Sequence, residues 1–116
     1  MEIQRHGGNG RRSLCVSYGG LVYTSGITST DLAGDITAQT QDVLKQLDDI
    51  LRRGGTNRNH VLSATITLAD MADYGAFNAV WDQWVVDGFE PVRSVTEGRL
   101  AVPEYKVKIS LIAALQ

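Results

Sequence analysis

The chain is predicted to fold as an α+β domain in which a six-stranded sheet carries two helices on one face. Three observations lead there. Two stretches, around 36–51 and 74–85, place apolar residues at helical spacing. Two others, 62–68 and 107–113, alternate apolar and polar residues with the period of a strand. The first third is glycine-rich, with short apolar runs between turn residues. The order reads βββ-α-β-α-ββ.

Residues 1–34 hold seven of the twelve glycines. Strands are expected near 2–6, 13–18 and 21–27, with Gly19-Gly20 as the hairpin turn because glycine reaches the positive φ that a two-residue connection needs. Ile36, Thr40, Val43, Leu44, Leu47, Ile50 and Leu51 then share one helical face. Asp35 suits the N-cap and Gly54-Gly55 the left-handed stop. Leu62, Ala64, Ile66 and Leu68 form the buried side of a strand, and Asp70 and Asp73 offer the next N-caps. Tyr74, Phe77, Val80, Trp81, Trp84 and Val85 predict a second helix over 73–87, with Tyr74, Trp81 and Trp84 as packing residues. Strands follow Pro91, at 92–99, and Pro103, through Val107, Ile109, Leu111 and Ala113. Two helices cannot cover both faces of such a sheet, so the other face calls for a partner.

With 116 residues, 43% of them apolar, the chain is long enough for one compact domain over 1–116, and disorder is excluded as its main state. No apolar run approaches the roughly 20 residues that span a bilayer, and the first residues lack a secretion signal, so a cytoplasmic protein is expected. Cys15, the one cysteine, allows neither an intrachain disulfide nor a multi-thiolate metal site, and is read as a buried hydrophobe. His6 and His60 have no ligand-like spacing. A formal charge of −2 makes the chain a poor general counter-charge for nucleic acid, and Arg5, His6, Arg11 and Arg12 lack an interleaved aromatic platform. The spacings of nucleotide, metal and acyl-transfer motifs are absent.

Arg93 stands apart, since it starts a strand among uncharged neighbours and a guanidinium there needs an anion. A salt bridge with Glu97 or Glu90 would satisfy it structurally, and the spacing alone leaves the choice of anion open. Thr24-Ser25-Gly26 closes an apolar strand, where hydroxyls and a bare backbone can face a ligand or simply end the strand.

VYTSG, DITAQTQDVLKQLDDIL, SATITLADMADYGAFNAVWDQW, PVRS and YKVKISLIAAL, in that order, resemble the reactive intermediate deaminase (RidA/YjgF) family, above all its YoaB-like branch, over nearly the whole chain. The resemblance implies a chorismate-mutase-like fold with a mixed sheet, a homotrimer with ligand clefts between subunits, and hydrolysis of 2-enamino or 2-imino acids to 2-oxo acids and ammonia without metal or cofactor. Carried over by residue, Arg93 clamps the substrate carboxylate, Ser25 and Gly26 line the cleft, and Asn78 lies near it on the second helix. Where well-studied members hold a water-positioning glutamate, this chain has Ser110, which can hold a water but is no base near neutral pH. An N-terminal tyrosine of those members aligns with Arg12, which would favour a second anionic group on the ligand. Their cysteine after the arginine is replaced by Ser94 or Val95. Two other functions are carried beside the deaminase: a trimer that binds small 2-oxo or amino acids without turnover, and an RNA-binding or RNA-cleaving protein resting on Arg5, Arg11 and Arg12.

Overall fold

The computed structural model describes residues 1–116 and contains two helices on a mixed sheet. The strands are β1 (Gln4–His6), β2 (Cys15–Tyr18), β3 (Leu21–Thr24), β4 (Ile27–Thr28), β5 (Val61–Leu68), β6 (Val92–Glu97) and β7 (Val107–Ala114). The helices are α1 (Ile36–Gly54) and α2 (Tyr74–Trp84). The sheet runs β1-β2-β3-β7-β5-β6, with β4 also on β7; β5 and β6 are parallel and the other pairs antiparallel. β7, latest in the chain, is therefore the central strand.

The seventh strand arises because the stretch expected at 21–27 is interrupted. Tyr23 faces Ile112 but Ile27 faces Ile109, so residues 24–26 contain one residue more than the opposing strand. Inside this bulge the Leu111 N–H donates to Thr24 Oγ1 at 2.9 Å, a hydroxyl standing in for a ladder carbonyl.

Local chemistry sets the element ends. Gly19 and Gly20, at φ 60° and 85°, make the β2–β3 turn. Asp35 Oδ1 accepts from Ala38 N at 2.9 Å, and Gly55, at φ 93°, closes α1 with Thr56 N donating to Leu51 O. Asp70 caps a single 3-10 turn at Met71–Asp73, and Asp73 makes no side-chain cap to α2. α2 stops three residues before the expected 87: Val85 is extended, and the Trp84 carbonyl accepts from Arg58 Nη1 at 3.0 Å. β6 stops at Glu97, where Gly98 N turns to Leu68 O.

One core joins the helices to the sheet. Val43, Leu47 and Leu51 of α1 and Phe77, Trp81 and Trp84 of α2 pack with Val22, Ala64, Ile66, Leu68, Ile109 and Leu111. Buried Gln39 ties α1 to the segment before β7, donating to Gly34 O and Glu104 O and accepting from Lys106 N. Asp48 takes two bonds from Arg58 and one from the Trp84 indole, fixing the end of α2 to α1.

The other face carries no helix. Val16, Tyr23, Ile112, Ser63 and Val92 lie in one row across five strands, with Tyr23 and Val92 exposed. The uncovered face expected from the sequence is present. No helix is long and apolar enough to cross a membrane.

Candidate functional site

Arg93 faces the helices. It pairs with Ala64, a core residue, so its side chain rises on the covered side of β6, an edge strand. Tyr74, Phe77, Asn78 and Trp81 occupy offsets 0, 3, 4 and 7 of α2, and therefore one stripe. The Arg93 guanidinium lies 6.0, 6.0 and 5.5 Å from the ring centroids of Tyr74, Phe77 and Trp81, within cation–π range. Nη2 donates to the Tyr74 hydroxyl at 3.4 Å, whereas Nη1 is buried and has no acceptor. Asn78 Oδ1, on the same stripe, is also buried and unpartnered.

The salt-bridge alternative for Arg93 is not taken. Glu97 Oε1 accepts from Met71 N and Glu90 Oε1 from Gly88 N, while the two ion pairs of the chain are Arg52–Asp49 and Arg58–Asp48. Buried polar groups are nearly always paired, so this unpartnered guanidinium nitrogen is an exception within the fold. Arg93 lines a cleft of about 380 Å³ with Trp81, Asp82, Val85, Asp87, Glu90 and Pro91. A larger cleft, about 530 Å³, sits beside the β6–β7 connection among Glu97, Arg99, Leu100, Val102 and Tyr105, and contains none of the expected site residues.

Ser25, Gly26 and Ser110 form a second group. The bulge that holds Ser25 and Gly26 lies opposite Ser110 and Leu111 of β7, and the Ser25 amide is fixed by Leu14 O at 2.8 Å. The Lys108 stem crosses Gly26 closely: a Cβ there would stand 3.0 Å from Lys108 Cδ, so a side chain at this position would have to push the lysine aside. Ser110 pairs with Thr65, which pairs with Ser94, so these three hydroxyls make a row on the uncovered face. Arg93 and Ser110 thus stand on opposite faces, with β5 between their strands.

The remaining sequence candidates lie elsewhere. Arg12 Nη1 turns back to Gly7 O at 2.9 Å, within a loop pinned by Asn9 Oδ1 on the amides of residues 11 and 12. Arg5 and Arg11 are exposed, and His6 and His60 belong to no cluster of three metal-ligating side chains. Cys15 is 1% exposed, and burial raises its thiol pKa against the opposing pull of Arg53. Tyr74, expected in the core, is 41% exposed, because its ring flanks Arg93 instead of filling the interior. The aromatic cradle and the acidic rim of the cleft were not anticipated. The helical spacing of Tyr74, Phe77 and Trp81 carries the signal for the cradle, once the parallel pairing of β5 and β6 brings Arg93 beneath that stripe.

A family model described as Endoribonuclease L-PSP matches residues 7–115. RutC family protein YoaB of Escherichia coli is 39% identical over 115 residues, covering 99% of this chain and 100% of that protein. The crystal structure of NMB1025, a member of the YjgF protein family from Neisseria meningitidis, superposes with a TM-score of 0.97 at 40% identity, covering 100% of this chain and 97% of that one. More distantly, Reactive Intermediate Deaminase A, chloroplastic, of Arabidopsis thaliana is 29% identical over 112 residues, covering 91% of this chain and 59% of that protein.

Proposed function

The chain belongs to the endoribonuclease L-PSP family of YjgF and RutC proteins, and from that premise we propose that it hydrolyses 2-imino and 2-enamino acids to 2-oxo acids and ammonia. The observation that carries this reading is that Arg93 lines an open cleft with no acid ion-paired to it and its Nη1 lacking any acceptor. A substrate carboxylate supplies the missing acceptor, and a charge-assisted contact of that kind contributes about 1.5 to 3 kcal/mol. The name of the more distant Arabidopsis relative agrees with the chemistry.

The reaction asks little of the protein. A 2-enamino acid tautomerises to the imine, and protonation of the imine nitrogen makes C2 electrophilic; water adds at C2 and loses a proton, the amine of the tetrahedral adduct takes one up, and ammonia leaves to give the 2-oxo acid. The site must fix the carboxylate, hold the water and pass protons. Arg93 does the first, Ser25 and Gly26 line the reacting end, and the Ser110 hydroxyl positions the water without acting as base. Since Arg93 and the Ser110 group face opposite sides of the sheet, the working site takes them from two copies of a homotrimer. The exposed row through Tyr23 and Val92 supports such an assembly.

An amino-acid oxidase generating 2-imino acids beside a competing trap tests this directly. Wild type accelerates 2-oxo acid release, and Arg93→Ala lowers the rate by about 10- to 150-fold, the equivalent of the lost contact. No acceleration with any parent amino acid overturns the reading. Serine at position 110 favours a second one, a trimer that captures small 2-oxo or amino acids without turnover; binding without hydrolysis would establish it.

A further inference from the structure

The Arg93 cleft is not an anion site of the usual kind. One guanidinium shares it with three carboxylates, Asp82, Asp87 and Glu90, none of which is ion-paired to it. Its formal charge is therefore −2, which repels a simple monoanion even while the buried Nη1 of Arg93 lacks an acceptor. The two facts are reconciled by a ligand that brings both signs. Its carboxylate satisfies Arg93, and a cation at the far end of its side chain meets the acidic rim. Trp81, Val85 and Pro91 line the same cleft and offer apolar wall for methylene groups.

We propose that this cleft selects 2-imino acids with a cationic side chain, those derived from basic amino acids, with Asp82, Asp87 and Glu90 as the specificity-determining residues. The inference rests on the deaminase reading for the reactive group, but its recognition element is separable from turnover. It also runs against the second anionic group that the alignment of Arg12 suggests, since Arg12 is bonded to Gly7 O in its own loop.

The test uses stable 2-oxo acids of matched shape, so that binding is read without catalysis. The probes are 5-trimethylammonio-2-oxopentanoate, whose quaternary head cannot cyclise onto the ketone, its neutral isostere 6,6-dimethyl-2-oxoheptanoate, and the dianion 2-oxohexanedioate, each titrated calorimetrically into the full chain. Three rim-exposed charge pairs together give the cation about a tenfold tighter Kd than the neutral isostere, with the dianion weakest. Asp82→Asn, Asp87→Asn and Glu90→Gln combined bring cation and isostere within about twofold of one another. Arg93→Ala weakens all three probes. Equal or tighter binding of the neutral isostere, a ratio unchanged in the triple variant, or no binding of any probe overturns the proposal. Retained cation preference without imine turnover upholds the proposal and removes the deaminase reading alone.

Discussion

Arg93 and Ser110 occupy adjacent rows of one sheet yet point to opposite faces of it. Arg93 aligns through Ala64 with Leu111 on the helix side, whereas Ser110 aligns through Thr65 with Ser94 on the open side. A site that uses both must be shared. Two impaired variants, Arg93→Ala and Gly26→Trp, are therefore expected to show more activity when unfolded together and reassembled than either shows alone. In a random equal mixture about one interface in four receives both intact halves, so about a quarter of wild-type activity returns. Reassembled mixtures no more active than either variant would show that each copy works alone.

Gly54 gives a packing prediction. A Cβ at this last residue of α1 would lie 2.8 Å from Val22 Cγ1, a branched side chain with no room to retreat. Alanine gains up to about 1 kcal/mol of helix propensity, but overpacking costs about 1 to 3 kcal/mol. Gly54→Ala should lower the urea midpoint, and a raised midpoint would show that the α1–β3 contact is looser than its geometry.

Asp42 predicts an acid-dependent loss of stability. Partial burial, the largest single influence, pushes its carboxyl up, but the Thr30 amide and the Gln46, Ser29 and Thr30 side chains together hold it below the ordinary value. The folded state thus takes up this proton at lower pH than the unfolded chain. The stabilisation is full above the unfolded value of about 3.9 and disappears as pH falls through the folded one. Asp42→Asn should cost about 1 kcal/mol at pH 7 after allowance for solvent screening. The gap between the variant and wild type should narrow in acid; an equal gap at pH 7 and pH 3 would exclude the charge as its source.

Cys15 is predicted to be inert while the chain is folded. Its Sγ lies 3.7 Å from Ile50 O inside the core, and burial keeps the thiol protonated. An aromatic disulfide reagent at pH 8 should label it only as fast as the protein opens, and urea should release the full reaction. Immediate labelling of the native protein would place the thiol at the surface.

What could be read from the chain beforehand was what is decided locally. α1 was legible because its apolar stripe, its Asp35 cap and its Gly55 stop all act within a turn or two. The break at Ser25-Gly26 was not, because the bulge is defined only against β7, where Thr24 meets the amide of a residue 87 positions later. Arg93 stood out by its uncharged neighbours, but its acids go to the Met71 and Gly88 amides and its surroundings come from α2, choices made by tertiary packing. The acidic rim escaped notice since Asp82 lies on a helix and Asp87 and Glu90 on the loop after it, residues that read as an ordinary solvated surface until the loop folds back on Arg93.

The place of β7 bears on how the protein is made. During synthesis the β1-β2-β3 and β5-β6 halves emerge first, each with a bare edge facing a gap that only the later strand fills. A chain extending only as far as β6 would thus hold two half-sheets with nothing to join them, and until β7 pairs with both, their bare edges are what a chaperone would have most reason to shield.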